Sequence, residues 1–156
     1  MNMNDLLATA RAKGLRFTCA ESCTGGLLAA ALTETAGASD VFDRGFVTYS
    51  NQAKIDMLGV SPQTLEAHGA VSEEVACEMA AGALARSTAQ IAISITGIAG
   101  PGGSDFKPEG RVCFGIAQTG QATMTQTVEF GALGRAQVRQ AALAHALGLF
   151  FHAVAV

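Results

Sequence analysis

The sequence predicts an α/β fold, namely a three-layer α/β/α sandwich whose mixed, mostly parallel sheet includes one antiparallel hairpin. Strand-type segments alternate with helix-type segments along the chain, as they do where helices cover both faces of a sheet. The segment IAISIT is a nearly unbroken apolar run, which is typical of a central strand buried on both faces. Two further strand-type segments flank the turn TGQA and indicate the hairpin. The length of 156 residues fits one domain, which we assign to residues 1–156.

The first half of the chain is predicted from periodicity and from residues that end helices. Gly14 and Gly59 each follow a helix-type segment, and Ser61 with Pro62 supplies a cap and a first-turn proline. Apolar and polar residues alternate in the first strand. In order, we predict a helix over 5–13, a strand over 15–20, a helix over 27–35, a strand over 45–50, a helix over 51–58 and a helix from 62.

The second half begins with a longer helix and ends with another. Ser72 caps the first of them, and Glu73 and Glu74 complement the positive charge of its first turn. Between the two helices lie the central strand and the hairpin. In order, we predict a helix over 72–86, strands over 91–96, 111–118 and 123–130, and a helix from 135 to the C-terminus.

Composition excludes several classes of function. The net charge of -3 provides no basic face for nucleic acid. The most apolar run, residues 141–156, contains His145 and His152 and is shorter than the ~20 residues that span a membrane. The N-terminus lacks the pattern of a signal peptide, so we expect a cytoplasmic protein. The apolar content of 49% fills the core, and part of it is expected to serve a homo-oligomer interface.

The cysteines do not predict a metal site. Their spacing matches no zinc motif, and no closely spaced histidine pair accompanies them. We therefore expect reduced, mostly buried thiols and neither a metal nor a cofactor. The cysteines are Cys19, Cys23, Cys77 and Cys113.

The segment AESCTGG, residues 20–26, bunches polar and reactive side chains between a predicted strand and a predicted helix. Open α/β sheets bind ligands at the carboxyl ends of their strands, and backbone amides there favour an anion or an oxyanion. Helix capping by Ser22 or Thr24 is the competing interpretation. The candidate site residues in this segment are Glu21, Ser22, Cys23, Thr24, Gly25 and Gly26.

The segment TYSNQAK, residues 48–54, repeats this arrangement after the second strand. Tyr49 and Asn51 follow the strand, and Lys54 lies in the next helix. A lysine buried in a cleft can lose its proton and act as a base for a serine. The alternative is a lysine on a solvated helix face.

Two more segments are candidates for binding a phosphate or a ribose. The loop TGIAGPGG leaves the central strand and contributes Thr96, Gly97 and Gly100, although it is not a Walker loop. Arg135 and Arg139 open the last helix and share a face, as a phosphate or carboxylate site would require. A plain surface loop and two solvated arginines are the alternatives.

Taken together and in order, the motifs AESCTGG, RGFVTYSNQAK, HGAVSEEV, SITGIAGPGG and KPEGRV resemble the CinA C-terminal domain family, which includes stand-alone nicotinamide-nucleotide amidases. The resemblance implies an α/β/α fold and hydrolysis of nicotinamide mononucleotide (NMN) to nicotinate mononucleotide and ammonia. It also implies Ser22 as the nucleophile and Lys54 as its base, with Tyr49 relaying a proton or orienting Lys54. The remaining candidates above are expected to bind the substrate.

Some alternatives stay open. Cys23 is the chemical rival of Ser22, and Glu21 orients either Lys54 or Thr24. Many relatives have Gly-Asp-Arg where this chain has Leu133, Gly134 and Arg135, so one acidic residue is missing from that corner. The competing functions are a non-catalytic nucleotide-binding or regulatory module of the family, associated with competence and DNA damage, and a structural or partner protein linked to DNA uptake or recombination.

Overall fold

Five strands form the centre of the computed structural model, which describes residues 2–104 and 106–156. They are β1 (Phe17–Glu21), β2 (Phe42–Val47), β3 (Ile91–Gly97), β4 (Arg111–Gln118) and β5 (Met124–Glu129). The strand order is β2-β1-β3-β4-β5. β1 pairs in parallel with β2 and β3, whereas β4 is antiparallel to both β3 and β5. All strands except β4 therefore run in one direction, which confirms the mixed, mostly parallel sheet with its β4–β5 hairpin.

Six helices cover the two faces of the sheet. They are α1 (Met3–Ala12), α2 (Leu27–Thr33), α3 (Asn51–Leu58), α4 (Pro62–His68), α5 (Glu73–Ala85) and α6 (Arg135–Ala155). α6 packs on β3 and β4 and is flanked by α1 and α2, while α5 packs on the opposite face with α3 and α4 beside it. The predicted three-layer sandwich is confirmed. Within the described residues, no helix is long and apolar enough to cross a membrane.

The two faces of β3 differ in the size of their side chains, and this sets how closely the helices approach. Its three isoleucines belong to the core cluster beneath α6. On the other face Ala92 and Ser94 are small, and Ser94 Oγ donates a 2.6 Å hydrogen bond to the carbonyl of Ala76 in α5. A Cβ on Gly115 would lie 2.3 Å from that carbonyl oxygen, so glycine is required where α5 meets the sheet.

The prediction for the second strand was wrong at both ends, because β2 lies three residues earlier than expected. β2 is an edge strand, and its charged residues Asp43 and Arg44 form an ion pair at the exposed edge. These charged residues interrupt the apolar pattern by which a strand is predicted from sequence. At its other end, the Ser50 side chain accepts a hydrogen bond from the Ala53 amide and caps α3. Ser50 therefore begins a helix and does not end a strand.

The carboxyl ends of β1, β2 and β3 lie along one edge of the sheet. The segments that follow them are AESCTGG, TYSNQAK and the glycine-rich loop after β3. Parallel strands place such segments side by side. The fold therefore brings together three motifs that are far apart in sequence.

Candidate active site

An open cleft of about 390 Å³ lies at this edge of the sheet. Most of the predicted site residues line it, while Glu21, Thr24, Gly25, Gly26 and Arg139 lie outside its lining. Mostly apolar and glycine residues of the segments after α4 and after β3 complete the wall. The predicted residues in the lining are Ser22, Cys23, Tyr49, Asn51, Lys54, Thr96, Gly97, Gly100 and Arg135.

Ser22 and Lys54 form a buried pair at the bottom of the cleft. Lys54 Nζ lies 2.9 Å from Ser22 Oγ, and the side chain of Lys54 is only 1% exposed. Burial lowers the pKa of Lys54 from 10.5 to about 8, because a charged amine is poorly solvated there. The amine can therefore be neutral near physiological pH, beside a hydroxyl whose proton it could accept.

Hydrogen bonds to backbone carbonyls fix both members of the pair. The Ser22 amide donates to the carbonyl of Ile95 on β3, at 3.0 Å, so the residue after β1 stays against the central strand. Lys54 lies one turn into α3, and its Nζ also donates to the carbonyl of Thr48, at 2.7 Å. Thr48 in turn donates its amide to the carbonyl of Glu21, at 2.8 Å. The ends of β1 and β2 are thus joined directly behind the pair.

Glu21 is fully buried and holds the loop that carries Ser22. Its carboxylate accepts hydrogen bonds from the Thr24 hydroxyl at 2.6 Å and from three backbone amides at 3.0–3.2 Å. These amides belong to Gly26, Leu28 and Ala29. The expected substrate-binding role of Glu21 is corrected, because its carboxylate is occupied inside the protein. Of the two roles left open, contact with Thr24 is the one observed.

Replacing Glu21 by glutamine is expected to lower the free energy of unfolding by about 2–3 kcal/mol, because one acceptor oxygen becomes a donor that faces other donors. Urea denaturation would measure the loss. Glu34→Gln at the exposed C-terminal end of α2 is the matched control and should change stability by less than about 0.5 kcal/mol. Equal losses in the two variants would contradict the capping role.

The rest of the AESCTGG segment also serves the loop. Thr24 is buried and its hydroxyl is bonded to Glu21. Gly25 has a φ of 56° and Gly26 a φ of 110°, in the left-handed region that favours glycine. The Thr24 hydroxyl is therefore not free for a substrate, whereas binding of a substrate by the backbone of these three residues stays a prediction. They shape the turn that leads from β1 into α2.

Tyr49 and Arg135 meet at the mouth of the cleft. Arg135 donates one hydrogen bond to the Tyr49 hydroxyl and another to the carbonyl of Gly100, both at 2.8 Å. Both side chains are exposed. Lys54 is bonded to Ser22 and Thr48 and has no hydrogen bond to Tyr49 within residues 2–104 and 106–156. The expectation that Tyr49 orients Lys54 is corrected, and its position beside Arg135 favours a binding role.

Arg139 turns away from the cleft. It shares a helix face with Arg135, as predicted, but its half-buried guanidinium lies against the back of the Ser22 loop. Its Nε donates to the carbonyl of Cys23 at 3.1 Å, and its Nη2 donates to the carbonyl of Thr24 at 3.2 Å. The expected direct contact with a phosphate is corrected, because these hydrogen bonds hold the guanidinium outside the cleft.

Cys23 is poorly suited to be the nucleophile. Its thiol is buried, and burial raises its pKa from 9.0 to about 11, so almost no thiolate is present at neutral pH. All four cysteines are free thiols. Within the residues that the structure describes, no three His, Cys, Asp or Glu side chains are grouped as metal ligands would be.

Two charged residues of the KPEG segment also frame the cleft, and sequence reasoning gave them no role. Glu109 accepts hydrogen bonds from the amides of Gly102 and Gly134, at 2.7 and 3.0 Å, and so joins the glycine-rich loop to the start of α6. Lys107 donates to the carbonyl of Val71 in the opposite wall. The sequence did contain a signal for these two residues, because KPEGRV is one of the five motifs that resemble the family.

This protein belongs to the α/β/α sandwiches that have a serine and a lysine side by side at the carboxyl edge of their parallel strands. A family comparison identifies it further. The chain belongs to the CinA C-terminal domain family, whose model matches residues 2–154. The resemblance inferred from the five motifs is thereby confirmed.

Individual relatives cover most of the chain. A protein of Enterobacter agglomerans named nicotinamide-nucleotide amidohydrolase PncC is 54% identical over 137 residues, which are 87% of this chain and 84% of that protein. The protein of the same name from Escherichia coli strain K12 is 51% identical over 138 residues, 88% of this chain and 83% of that one. The crystal structure of the competence/damage inducible protein CihA from Agrobacterium tumefaciens superposes with a TM-score of 0.93 at 46% identity, covering 99% of this chain and 93% of that one.

Proposed function

We propose that this chain is a nicotinamide-nucleotide amidase that hydrolyses the carboxamide of NMN to nicotinate mononucleotide and ammonia. The observation that carries the proposal is the buried Lys54 amine, 2.9 Å from Ser22 Oγ at the bottom of the cleft. The names of the relatives that match over most of this chain support the choice of substrate.

In the proposed reaction Ser22 is the nucleophile and Lys54 transfers its proton. Neutral Lys54 accepts the hydroxyl proton while Ser22 Oγ attacks the carboxamide carbon. The resulting ammonium then donates the proton to the amide nitrogen, the C–N bond breaks, and ammonia leaves an acyl-enzyme. Water, deprotonated by Lys54, then attacks the ester carbon. The ester C–O bond breaks, the ammonium of Lys54 returns the proton to Ser22 Oγ, and the carboxylic acid product leaves and ionises in solution.

The tetrahedral intermediates need donors for their oxyanion, and the Ser22 loop has two amides to offer. Within residues 22–29, all amides except those of Cys23 and Thr24 have an acceptor inside the part of the chain that the structure describes. The amide after the nucleophile is the usual oxyanion donor on this kind of strand-to-helix turn. We assign the oxyanion hole to the Cys23 and Thr24 amides, each contributing roughly 3–4 kcal/mol.

The mouth and walls of the cleft suit the rest of the nucleotide. Arg135 and Tyr49 offer a cation and a hydroxyl at the mouth, where a phosphate would remain partly solvated. The backbone of the loop from Thr96 through Gly97 and Gly100 faces the same space and is available to the ribose, as is the side chain of Asn51. A local positive charge also offsets the net negative charge of the chain.

The rate is expected to depend on pH through Lys54. Its pKa of about 8 lies below the usual 10.5, so roughly a tenth of the chains carry the neutral amine at pH 7. We therefore expect kcat/KM to fall about tenfold per pH unit below pH ~8 and to level off above it. Initial rates from pH 6 to 9.5 would test this, and a rate independent of pH across that range would contradict the assignment.

Ammonia release from NMN tests the proposal directly. A coupled ammonia assay should match the formation of nicotinate mononucleotide, followed by NMR, mole for mole. Nicotinamide riboside is the matched control, because it has the same carboxamide but no phosphate for Arg135 and should react more slowly through a higher KM. Binding of NMN without ammonia release would favour the regulatory module instead.

The remaining expectations concern the setting of the enzyme. We propose one amidase domain over residues 1–156, a cytoplasmic location and a homo-oligomer. We also propose that the enzyme has no cofactor and that nucleic acid is not its partner, because the chain has a net charge of -3.

A further inference from the structure

We infer that Arg139 is a positioning residue that tightens and polarises the oxyanion hole of Ser22. The inference rests on the proposed Ser22 chemistry and deepens it. It gives a mechanistic role to a guanidinium that lies outside the cleft, on a helix more than a hundred residues away in sequence.

The contact of Arg139 with Cys23 acts on the peptide group of the oxyanion hole. The carbonyl of Cys23 and the amide of Thr24 belong to the same peptide unit. Arg139 Nε donates to that carbonyl at 3.1 Å, so positive charge on the carbonyl side draws electron density through the peptide. The amide hydrogen on the other side becomes a stronger donor, since hydrogen bonds in a chain polarise one another. The Thr24 amide has no acceptor within the described residues and is free to act on an oxyanion.

The second contact of Arg139 fixes the direction of this loop. Its Nη2 donates to the carbonyl of Thr24 at 3.2 Å, which gives one rigid guanidinium a hold on two successive peptide groups. Glu21 holds the other side of the loop through Thr24 and Gly26. A hole that is held from both sides needs little reorganisation when charge develops, and this is how preorganised donors accelerate acyl transfer.

The charge of Arg139 is not neutralised at close range by any carboxylate in the part of the chain that the structure describes. None of the ion pairs formed within residues 2–104 and 106–156 includes Arg139. The guanidinium is also half-buried, so its field on the loop is screened less than that of an exposed arginine. Arg135, one helical turn earlier, is exposed at the mouth of the cleft and provides the natural comparison.

The two arginines are expected to affect different kinetic constants. Arg139→Gln should lower kcat for NMN about 10- to 100-fold with KM changed less than about threefold, because weakening a donor costs less than the 10²–10³-fold of losing one. Arg135→Gln should instead raise KM. Arg11→Gln, at a surface arginine of α1 paired with Asp40, controls for the loss of a positive charge.

A second readout does not require NMN. A fluorophosphonate probe reacts when Ser22 Oγ bonds to phosphorus, the proton passes to Lys54 and fluoride leaves with the electron pair of the broken P–F bond. Charge develops on the phosphoryl oxygen, in the same oxyanion hole. The rate constant of labelling, followed by mass spectrometry, should fall about 10- to 100-fold in Arg139→Gln and by less in Arg139→Lys, which keeps the charge and one hydrogen bond.

These measurements separate the inference from the proposed substrate. A wild-type protein that is labelled at Ser22 but releases no ammonia from NMN would refute the substrate, and the labelling rates of the variants would still test Arg139. The inference is overturned if Arg139→Gln raises KM alone, if Arg139→Lys loses as much labelling rate as Arg139→Gln, or if wild-type Ser22 is not labelled. A shift in the pH midpoint of labelling in Arg139→Gln would also overturn it, because the loss would then arise at Lys54.

Discussion

Ser22→Ala is expected to lower kcat for ammonia release by roughly 10⁴-fold or more, the scale on which serine hydrolases lose turnover when the nucleophile is removed. The reason is that Ser22 Oγ, 2.9 Å from Lys54 Nζ, forms the ester bond of the acyl-enzyme in the proposed reaction. Removing one hydroxyl creates little empty volume, so the variant should still fold and bind NMN. Stopped assays at high enzyme concentration would measure the residual rate, and calorimetry would measure NMN binding.

Two further variants make this result specific. Cys23→Ala should keep most of the turnover, because the raised pKa of its buried thiol leaves almost no thiolate to attack the amide. Ser39→Ala, at an exposed serine in the turn between α2 and β2, controls for the substitution itself. Wild-type turnover in Ser22→Ala together with loss of turnover in Cys23→Ala would reverse the assignment of the nucleophile.

The sequence was sufficient for the fold because the decisive signals are local. The apolar run of β3 and the turn between β4 and β5 can each be recognised within about ten residues. The edge strand β2 was misplaced because its pattern depends on which neighbour covers it. Asp43 and Arg44 are acceptable there because their edge of the sheet faces solvent.

The proximity of Ser22 and Lys54 could also be predicted, for a reason that lies in topology. Ser22 and Lys54 each follow the end of a parallel strand, and neighbouring parallel strands end at one edge of the sheet. Their approach therefore follows once the strands are assigned in order, together with the motifs that resemble the family. This prediction therefore required no knowledge of contacts between side chains that are distant in sequence.

The roles of the supporting residues depend on contacts that no local pattern encodes. Arg135 and Arg139 look equivalent in RAQVR, yet four residues along α6 move the guanidinium from the cleft mouth to the back of the Ser22 loop. The sequence predicts Glu21 as a substrate-binding residue because it is adjacent to Ser22. In the structure, its carboxylate already accepts hydrogen bonds from backbone amides, which the turn into α2 places close to it.

Lys54→Met is the second variant with a large expected effect, a loss of kcat comparable to that of Ser22→Ala. Methionine has nearly the length of lysine and is at home in a buried site, but it can neither accept nor return a proton. Lys54→Arg should be inactive as well, because a guanidinium keeps its charge but does not deprotonate in proteins. Lys13→Met is the matched control. Lys13 donates a hydrogen bond to the carbonyl of Val154 and does not line the cleft.

The same substitution should change how stability varies with pH. Folding lowers the pKa of Lys54 from 10.5 to about 8, so between these values the unfolded chain binds more protons than the folded one. The free energy of unfolding of the wild type should therefore rise with pH in that window relative to Lys54→Met, by a total approaching about 3 kcal/mol. Below pH ~8 the difference between the two proteins should be constant. Urea denaturation at pH 7 and pH 9.5 would measure the part of this rise that falls below pH 9.5, about 2 kcal/mol.

Activity and stability together test the state of the amine. A neutral base requires that Lys54→Arg be inactive and that the stability of the wild type gain on Lys54→Met as the pH rises. Substantial turnover in Lys54→Arg would mean that the residue acts as a fixed cation, with the proton of Ser22 going elsewhere. A stability difference that does not vary between pH 7 and 9.5 would mean that the amine keeps its usual pKa and stays charged at neutral pH, so that Lys54 could not act as the base for Ser22.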